Sequence, residues 1–457
     1  MVNIHDRPSA THSRVRMKKL HFIIEDPPQE DRRALGELSM LKPITPTDPS
    51  LAKDAAAAAA PPPVKVCMLF LETPARTESR VMRDATALVE AGYEVTLIDI
   101  EKERTRQAEE EIRGVHFRHI FSSNWYSGAH FKPWYLIKLA GAIVRSTLRA
   151  IQTPADIYHA HNERALPAGY IAARLRRKPL IFDAPELTLA ELPYSRWRIL
   201  NALATRVVGA MTPYCAGAIA TSPLHARELR KTFHMPEVTL VRNVPSYRTV
   251  AKSDRLRQHG GKLTSLRLSP TTRIALYQGN LQPNRGLQVL IRSARFLDQE
   301  IVIVIMGRGS RDIPAQLHAL IASEGVAERV KIIPPVPYEE LLDWTASADI
   351  GLTVYPLHYS PNVQTSLPNK LFEYLMAGLP VLTSGLDAVA ELVRTYDVGR
   401  VVSSVEPEEV AAAMNAMLAD HEGLVRMHHN ALEAARTEFC WEKEGQRLFD
   451  LYKGILS

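Results

Sequence analysis

The stretch Ser366-Leu-Pro-Asn-Lys-Leu-Phe-Glu-Tyr-Leu-Met-Ala-Gly-Leu-Pro-Val-Leu-Thr-Ser384 decides the fold predicted for this chain. A Ser and a Pro are typical of a helix start, and the residues after them have helical periodicity. An apolar helical face, with spacings of three and four, follows at Leu371, Phe372, Leu375 and Met376. Gly378 ends the predicted helix, and residues 380–383 have the pattern of a short buried strand.

The start of this helix has the properties of a phosphate-binding site. Unpaired backbone N–H groups and the positive end of the helix dipole meet there. Lys370 adds a full positive charge at an end where the dipole disfavours it, so an anion nearby is expected. Glu373 lies one turn further on, where its carboxylate can accept hydrogen bonds from the two hydroxyls of a ribose. An ordinary amphipathic helix with surface charges is the alternative interpretation of these residues alone.

Length and composition indicate a globular chain of two domains. The 457 residues are 46% hydrophobic and 23% charged, with a formal net charge of +6. That charge is too small to indicate nucleic-acid binding, and we expect no such partner. Cys67, Cys215 and Cys440 show no metal-like spacing, which favours a reducing, cytoplasmic location. No segment has the roughly 18 apolar residues of a membrane span, and no signal peptide is recognisable.

Buried strands alternate with helical segments twice along the chain. The Pro-rich residues 1–63 end in an Ala/Pro run and are predicted to be a disordered tail and linker. Residues 64–247 form the first domain, residues 248–270 a polar linker, and the alternation restarts at residue 271. This pattern predicts an α/β fold with two Rossmann-like domains, whose parallel sheets face each other across a cleft. Ligands of such sheets bind at the carboxyl ends of the strands.

A second glycine-containing turn joins the first strand of the second domain to its helix. In Tyr277-Gln-Gly-Asn-Leu-Gln-Pro-Asn-Arg-Gly286, two glycines permit close backbone approach and Arg285 places a guanidinium at the helix entrance. Arg285 and Lys370 together would offset the charge of a diphosphate. We therefore expect no metal and no other cofactor at this site.

Several motifs resemble, in order, the donor domain of the retaining glycosyltransferases of family 4, which have the GT-B fold. They are Gln278-Gly279 with Arg285-Gly286, Met306-Gly-Arg-Gly309, and Pro368 to Val381. In the first half, the matching segments are Arg80–Ala85, Glu90–Thr96, Asp156–His161 and Val241–Pro245. The resemblance covers about residues 64–455. It implies a donor domain at residues 271–440 and a C-terminal helix, residues 441–457, that returns to the first domain.

The resemblance implies a set of residues that bind a nucleotide sugar. Arg285 and Lys370 would hold the diphosphate, and Glu373 would bind the ribose. The full set is Gly279, Asn280, Arg285, Gly307, Thr365, Asn369, Lys370, Leu371 and Glu373. Thr365 stands where the family has the first Glu of a paired-glutamate motif, so sugar binding must be rebuilt here. Asn362, Gln364 and Thr365 are the candidates for this role.

The first domain supplies the candidate catalytic residues, with a second departure from the family. Pro185 stands where relatives often have a His that faces the reacting sugar. Asp183 and Glu186 remain as carboxylates at the carboxyl end of a strand. His161 ends the preceding strand, where it is either a cleft residue or a structural one. His159, on the same strand, is predicted to be structural.

A basic aromatic stretch, residues 124–138 continuing to Arg149, precedes and enters an amphipathic helix. Arg196-Trp-Arg198 adds to it. Such a surface suits peripheral contact with an anionic membrane and a lipid-linked acceptor. A core-facing helix with a solvated basic side is the alternative.

These observations predict a retaining glycosyltransferase of the hexosyltransferase type, which acts in glycan, polysaccharide or glycolipid synthesis. It would move a sugar from a nucleotide-diphosphate sugar to an acceptor hydroxyl, with the departing phosphate oxygen as base. Two alternatives remain at this point. One is a GT-B nucleotide-sugar epimerase, and the other is an inactive scaffold or partner subunit, suggested by Pro185 and Thr365.

Overall fold

The first domain is built on a sheet of eight strands that runs in the order β3-β4-β2-β1-β5-β6-β7-β8. Only β3 pairs antiparallel among the strands that the structure describes; it lies against β4 at the edge. Apolar residues without alternation form the central strands because helices cover both faces. The strands are β1 Lys65–Phe70, β2 Glu94–Glu101, β3 Glu109–Ile112, β4 Val115–Phe121, β5 Ile157–His161, β6 Leu180–Asp183, β7 Gly217–Ala220 and β8 Thr239–Leu240.

The second domain has a parallel sheet of six strands in the order β11-β10-β9-β12-β13-β14. The strands are β9 Arg273–Gln278, β10 Ile301–Met306, β11 Val330–Ile333, β12 Ile350–Thr353, β13 Val381–Ser384 and β14 Gly399–Val402. The sequence pattern predicts strands at residues 273–278, 301–306, 330–333, 350–355 and 380–383, but not β14, whose residues are only half-buried before Val402. Weak burial also explains why the edge strand β3 was not predicted.

Helices connect the strands of both sheets. In the first domain they are α1 Ser79–Glu90, α2 Pro133–Gln152, α3 Asn162–Arg176, α4 Arg198–Met211 and α5 Pro223–Phe233. Between the sheets and in the second domain they are α6 Arg255–Gln258, α7 Leu287–Ser293, α8 Asp312–Ser323, α9 Leu341–Thr345, α10 Pro361–Thr365, α11 Asn369–Met376, α12 Asp387–Thr395, α13 Pro407–Ala419 and α14 His421–Thr437. The last helix is α15 Trp441–Leu456.

The computed structural model describes residues 62–122, 133–186, 198–235, 237–258, 268–282, 285–310, 312–357 and 361–457. Residues 63–457 form one compact unit. The predicted tail and linker at residues 1–63 therefore lies almost wholly outside the described residues. Residues 124–132 of the basic stretch and Gly260-Gly261 of the polar linker lie outside them as well.

The polar linker is fastened to the second domain where the structure describes it. Leu256 of α6 is fully buried in the core of that domain. Arg257 donates a hydrogen bond to Asp349 at 3.1 Å, and Lys252 donates one to the carbonyl of Ala348 at 2.6 Å. The basic residues of this segment therefore serve the second domain, which the composition did not predict.

The C-terminal helix returns to the first domain, as predicted. Gly217 of β7 packs closely against α15, since a Cβ there would lie 2.8 Å from Cδ1 of Leu451. The hydroxyl of the fully buried Tyr452 lies 2.8 Å from Nδ1 of His159. Glu444 accepts a hydrogen bond from Arg242 at 2.7 Å. The interior role predicted for His159 agrees with this contact.

A buried ion pair joins α1 to the end of β6. Arg80 donates to both carboxylate oxygens of Asp183, at 3.0 and 3.2 Å, and to the carbonyl of Val241 at 2.8 Å. The charge of Arg80 and the hydrogen bond from His161 hold the pKa of Asp183 well below its usual range, against the effect of burial. Asp84, one turn further along α1, is equally buried, but neither of its oxygens has a hydrogen-bond partner among the described residues. Burial raises the pKa of Asp84 to about 6.

Asp84→Asn should stabilise the protein at neutral pH. Because the pKa of Asp84 is raised on folding, the native state binds more protons than the unfolded state, and stability falls as pH rises from the unfolded pKa to about 6. The amide avoids this cost, which is roughly 1–3 kcal/mol. Thermal unfolding at pH 7.5 and at pH 5 should show a higher Tm for the variant, with a smaller difference at pH 5. Glu90→Gln, at the exposed end of the same helix, is the control; an equal or lower Tm for Asp84→Asn at pH 7.5 would contradict the assignment.

Candidate functional site

A cleft of about 1070 Å³ lies between the two sheets and is lined by residues of both domains. The register of the first sheet aligns Phe70 with His161 and His161 with Asp183, so the carboxyl ends of β1, β5 and β6 meet at one edge. The turns after β9 and β10 and the start of α11 form the facing wall. The cleft therefore occupies the position expected for a ligand of such sheets.

Lys370 is a buried cation at the start of α11. Its side chain is 8% exposed, and its ammonium has no hydrogen-bond partner among the described residues. The ammonium lies 3.5 Å from the ring centroid of Tyr277 and 5.7 Å from that of Tyr355. Burial, followed by the charge of Arg285, lowers the pKa of Lys370 well below its ordinary value. A cation held in this way leaves space for an anion that would satisfy it.

Arg285 stands beside the same aromatic ring. Its guanidinium carbon lies 5.5 Å from the ring centroid of Tyr355. Gly286, the next residue, has φ +73°, and a Cβ there would lie 1.9 Å from the carbonyl oxygen of Val354. Glycine is thus required for the turn to pack against β12 and to bring Arg285 to the cleft. Arg285 and Lys370 both reach the ring of Tyr355, so one anionic ligand can contact both.

The carboxylate of Glu373 is held in place by a chain of hydrogen bonds. Gln278 donates to Glu373 at 2.6 Å, and its amide oxygen accepts from the hydroxyl of Thr345 at 2.7 Å. Burial raises the pKa of Glu373, while the bond from Gln278 and the charge of Lys370 oppose that shift. Glu373 lines the cleft next to Lys370. The fixed carboxylate can accept hydrogen bonds from a ligand that carries hydroxyls.

His161 presents one ring nitrogen to the cleft from the first domain. Its side chain is 1% exposed, and Nδ1 lies 2.9 Å from Asp183. An ionised carboxylate only accepts hydrogen bonds, so Nδ1 carries the proton in this contact. Nε2 is buried and has no hydrogen-bond partner among the described residues. In the neutral ring this atom therefore remains an acceptor for a ligand hydroxyl.

His159, His161 and Asp183 form the one grouping of metal-binding side chains found among the described residues, with donor atoms within 4.8 Å of one another. These donors are already engaged by other groups. Arg80 and His161 bind Asp183, and Tyr452 contacts Nδ1 of His159. A guanidinium in contact with the carboxylate also disfavours a second cation. The group fits an internal hydrogen-bond network better than a metal centre.

Most of the predicted site residues meet in the cleft. The residues that line it are His161, Glu186, Gly279, Asn280, Arg285, Gly307, Asn369, Lys370 and Glu373. The glycines permit the close approach predicted for them, since a Cβ at Gly307 would lie 1.8 Å from the carbonyl oxygen of Gly279. Of the residues considered for rebuilding the sugar site, Asn362 also lines the cleft.

Three predicted site residues are not among those that line the cleft. Asp183 is fully buried behind His161, so it positions that ring and does not reach a ligand. Leu371 is fully buried in the core, and its N–H donates to the carbonyl of Pro368 at 2.9 Å. The carbonyl of Thr365 accepts from Ser222 of the first domain, and its hydroxyl donates to the carbonyl of Asn362 at 3.4 Å. Thr365 thus contributes to contact between the domains.

Sequence analysis missed the residues that support the charged groups. Tyr277 and Gln278 end β9 and both line the cleft, although the sequence pattern places them in the glycine-containing turn and predicts no role for them in the site. Tyr355 follows β12, and Arg80 lies in α1 behind the His161 wall. For Gln278 and Tyr355, a position at the end of a strand was the sequence feature that could have indicated a place in the cleft. Asn162, which follows β5 and has φ +63°, also lines the cleft.

Two sequence models of known families match this chain. One, described as Glycosyltransferase Family 4, matches residues 77–244, and the other, described as Glycosyl transferases group 1, matches residues 272–420. Similar proteins include D-inositol 3-phosphate glycosyltransferases. That from Thermobispora bispora is 25% identical over 82% of this chain and 89% of its own, and that from Nocardia farcinica is 24% identical over 82% and 84%.

Solved structures with the same fold include the following two chains. A sucrose-phosphate synthase from Thermosynechococcus elongatus has a TM-score of 0.68 at 14% identity, covering 86% of this chain and 99% of its own. HepE from Anabaena in complex with UDP-glucose has a TM-score of 0.63 at 16% identity, covering 85% and 99%. With the two sheets and the cleft, these findings define a glycosyltransferase of the GT-B fold. The chain is a glycosyltransferase whose first domain matches family 4 and whose second domain matches group 1, and its reaction is sugar transfer from a nucleotide sugar.

Proposed function

We propose that the chain is a retaining glycosyltransferase that binds the diphosphate of its nucleotide sugar between Arg285 and Lys370. The observation that carries this assignment is the unpaired ammonium of Lys370, buried beside a guanidinium at the start of α11. A diphosphate supplies the negative charge that this pair lacks. Glu373, held by Gln278, accepts hydrogen bonds from the ribose hydroxyls. The HepE structures in complex with UDP and with UDP-glucose make UDP-sugars the first donors to test.

The proposed reaction exchanges one bond at the anomeric carbon for another on the same face of the sugar. The bond from the anomeric carbon to the phosphate oxygen breaks, and a bond to the acceptor oxygen forms. The proton of the acceptor hydroxyl passes to the departing phosphate oxygen. Arg285 and Lys370 stabilise the negative charge that develops on the leaving diphosphate. The cleft holds the two substrates in the relative position that the reaction requires.

The two alternatives lack comparable support. An epimerase needs an acid and a base beside the sugar and no acceptor, and an inactive scaffold needs no cationic pair. The matched families and the similar proteins favour neither. The retained Arg285, Lys370 and Glu373, all lining one cleft, instead support an active donor site.

Arg285→Ala and Lys370→Ala should each weaken the binding of the nucleotide sugar and slow its transfer. Each removes a charge-assisted contact worth roughly 1.5–3 kcal/mol, which corresponds to about a tenfold to hundredfold change. Release of nucleoside diphosphate from candidate nucleotide sugars, and calorimetric titration of the donor, measure the two effects. Arg292→Ala is the matched control, because Arg292 lies on α7, the helix that follows the Arg285 turn, and pairs with Glu324 instead of lining the cleft. Normal kinetics and affinity in both folded variants would remove the donor assignment.

The same contact predicts a pH dependence of donor binding. The pKa of Lys370 is lowered in the free protein and rises when a diphosphate binds, so the complex takes up a proton. Wild-type affinity should therefore fall as pH rises above the lowered pKa of Lys370, whereas Lys370→Met should show a flatter profile. Titrations in buffers of different ionisation enthalpy detect the proton directly.

We propose that transfer proceeds without a metal ion. The two cations and the start of α11 provide positive charge for the diphosphate, and the His159 group is occupied by internal contacts. Activity should therefore persist in a chelator such as EDTA at a concentration above that of the protein. Diphosphate release with and without EDTA tests this. Loss of transfer in EDTA, followed by recovery with magnesium or manganese, would show that a metal takes part.

We propose that the first domain docks on an anionic membrane and meets a lipid-linked acceptor there. The neighbouring helices α2, α3 and α4 expose apolar side chains: Ile137, Val144, Leu148, Ile171, Leu175, Leu203 and Val207. Arg145 and Arg149 lie on α2 with its apolar residues. Apolar residues flanked by cations suit the interface of an anionic bilayer. None of the described helices meets the length and apolarity of a membrane-spanning segment.

Vesicle binding tests this surface. The protein should co-sediment with vesicles that contain phosphatidylglycerol, and binding should weaken as salt rises because the attraction is screened. Val144→Ser with Leu148→Ser should reduce co-sedimentation several-fold, while donor binding stays unchanged. Val425→Ser is the control, because Val425 of the second domain is 58% exposed, much like Val144 at 56%. A wild-type protein that stays in the supernatant at low salt contradicts the proposal.

A further inference from the structure

The two walls of the cleft carry opposite charge. The second domain contributes the cations Arg285, Arg308 and Lys370. The first domain contributes the carboxylates Glu72, Glu78 and Glu186. Arg80 is the single cation of the first domain that lines the cleft among the described residues, and it is 6% exposed and bound to Asp183 and Val241. The wall that faces the donor site is therefore acidic.

These carboxylates come from three separate segments, so the acidic wall is a property of the folded domain. Glu72 follows β1, Glu78 directly precedes α1, and Glu186 follows β6. Glu72 is half-buried and forms an ion pair with Arg164 at 3.0 Å. Burial raises the pKa of Glu78, and the charge of Glu72 adds to that shift. Because Arg164 offsets the charge of Glu72, a further negative charge brought to this wall is repelled chiefly by Glu78 and Glu186.

His161 provides an independent sign of a ligand on this wall. Its Nε2 is buried, has no hydrogen-bond partner among the described residues and belongs to a ring that lines the cleft. With Nδ1 committed to Asp183, Nε2 accepts a hydrogen bond. A hydroxyl donates to such an atom, whereas a fully ionised phosphate only accepts. The nitrogen and the carboxylates therefore favour the same partner, a group rich in hydroxyls.

We propose that the acceptor presents a neutral saccharide to this wall, donates its hydroxyls to His161 and to the carboxylates, and carries no phosphate next to the accepting hydroxyl. This inference rests on the proposed function, since it describes the second substrate of that reaction. By this inference the chain differs from the similar proteins that are named for D-inositol 3-phosphate, because that compound is an anion. A lipid-linked acceptor is compatible, provided that its phosphate lies at the far end of the saccharide.

Matched acceptor pairs test the proposal with the intact chain. Release of nucleoside diphosphate is measured with an established donor, first UDP-glucose, and with the pairs glucose and glucose 6-phosphate, inositol and D-inositol 3-phosphate, and neutral methyl glycosides and disaccharides. We expect a neutral compound to stimulate release at least about tenfold more than its phosphorylated partner. A phosphorylated member that stimulates release equally or better overturns the inference. Failure of every neutral compound to stimulate release also counts against it.

Charge-neutral variants connect the result to the wall. Glu186→Gln and Glu72→Gln should each raise the KM of the neutral acceptor. Each variant should also reduce, by roughly fivefold, the ratio of release with the neutral acceptor to release with its phosphorylated partner. Glu391→Gln, on the exposed side of α12, is the control. A preference that neither variant changes overturns the role of the carboxylates.

Donor titration separates failure of this inference from failure of the proposed function. The variants Glu186→Gln and Glu72→Gln should bind the nucleotide sugar with wild-type affinity, because the donor cations belong to the other domain. If donor binding itself is absent in the wild-type protein, the proposed function fails. If donor binding is normal and phosphorylated acceptors are preferred, only the acceptor inference fails.

Discussion

The ion pair between Arg80 and Asp183 is the contact on which the first domain depends. It joins α1 to the end of β6 and, through the carbonyl of Val241, to the residue after β8. Asp183 also accepts a hydrogen bond from Nδ1 of His161, so the same carboxylate fixes a ring that lines the cleft. A buried carboxylate that lost Arg80 would be left with an uncompensated charge, which is strongly destabilising. Stability and the orientation of His161 therefore have a common origin.

The two walls of the cleft differ in charge, so each wall suits a different chemical group. On the second domain, the rings of Tyr277 and Tyr355 lie against the buried Lys370, and Arg285 contacts Tyr355, so Lys370 is poorly solvated and attracts an anion strongly. On the first domain, carboxylates and a ring nitrogen accept hydrogen bonds, which suits hydroxyl groups. In the proposed reaction, an anionic leaving group and a neutral acceptor are thereby directed to opposite walls. This arrangement also limits the chance that a diphosphate occupies the acceptor side.

The sequence predicted the fold well, and it predicted residues that the structure brings together in one cleft, for a physical reason. Central strands that are buried on both faces have long apolar runs, which are visible in the sequence. Gly279 and Gly286 are visible as well, because the backbone approaches other groups closely at these turns. The edge strands β3 and β14 lack such runs. The partners of the site residues were not predictable, because Tyr355 and Arg80 reach their contacts only after distant segments pack. Asp183 and Leu371 occupy expected positions in sequence, but their side chains are enclosed by neighbours.

The chain crosses between the two domains twice, and the crossings lie side by side. The N–H of Trp441 donates to the carbonyl of Pro245 at 2.9 Å, and Arg242 contacts both Glu438 and Glu444. Two segments of the chain that cross at one place act as a hinge with a defined axis, whereas a single linker would allow the domains to slide and twist. Motion of the domains then becomes an opening and closing of the cleft, and each closure returns the sugar and the accepting hydroxyl to the same relative position. The last helix of the chain is thus part of the machinery that sets the accuracy of transfer.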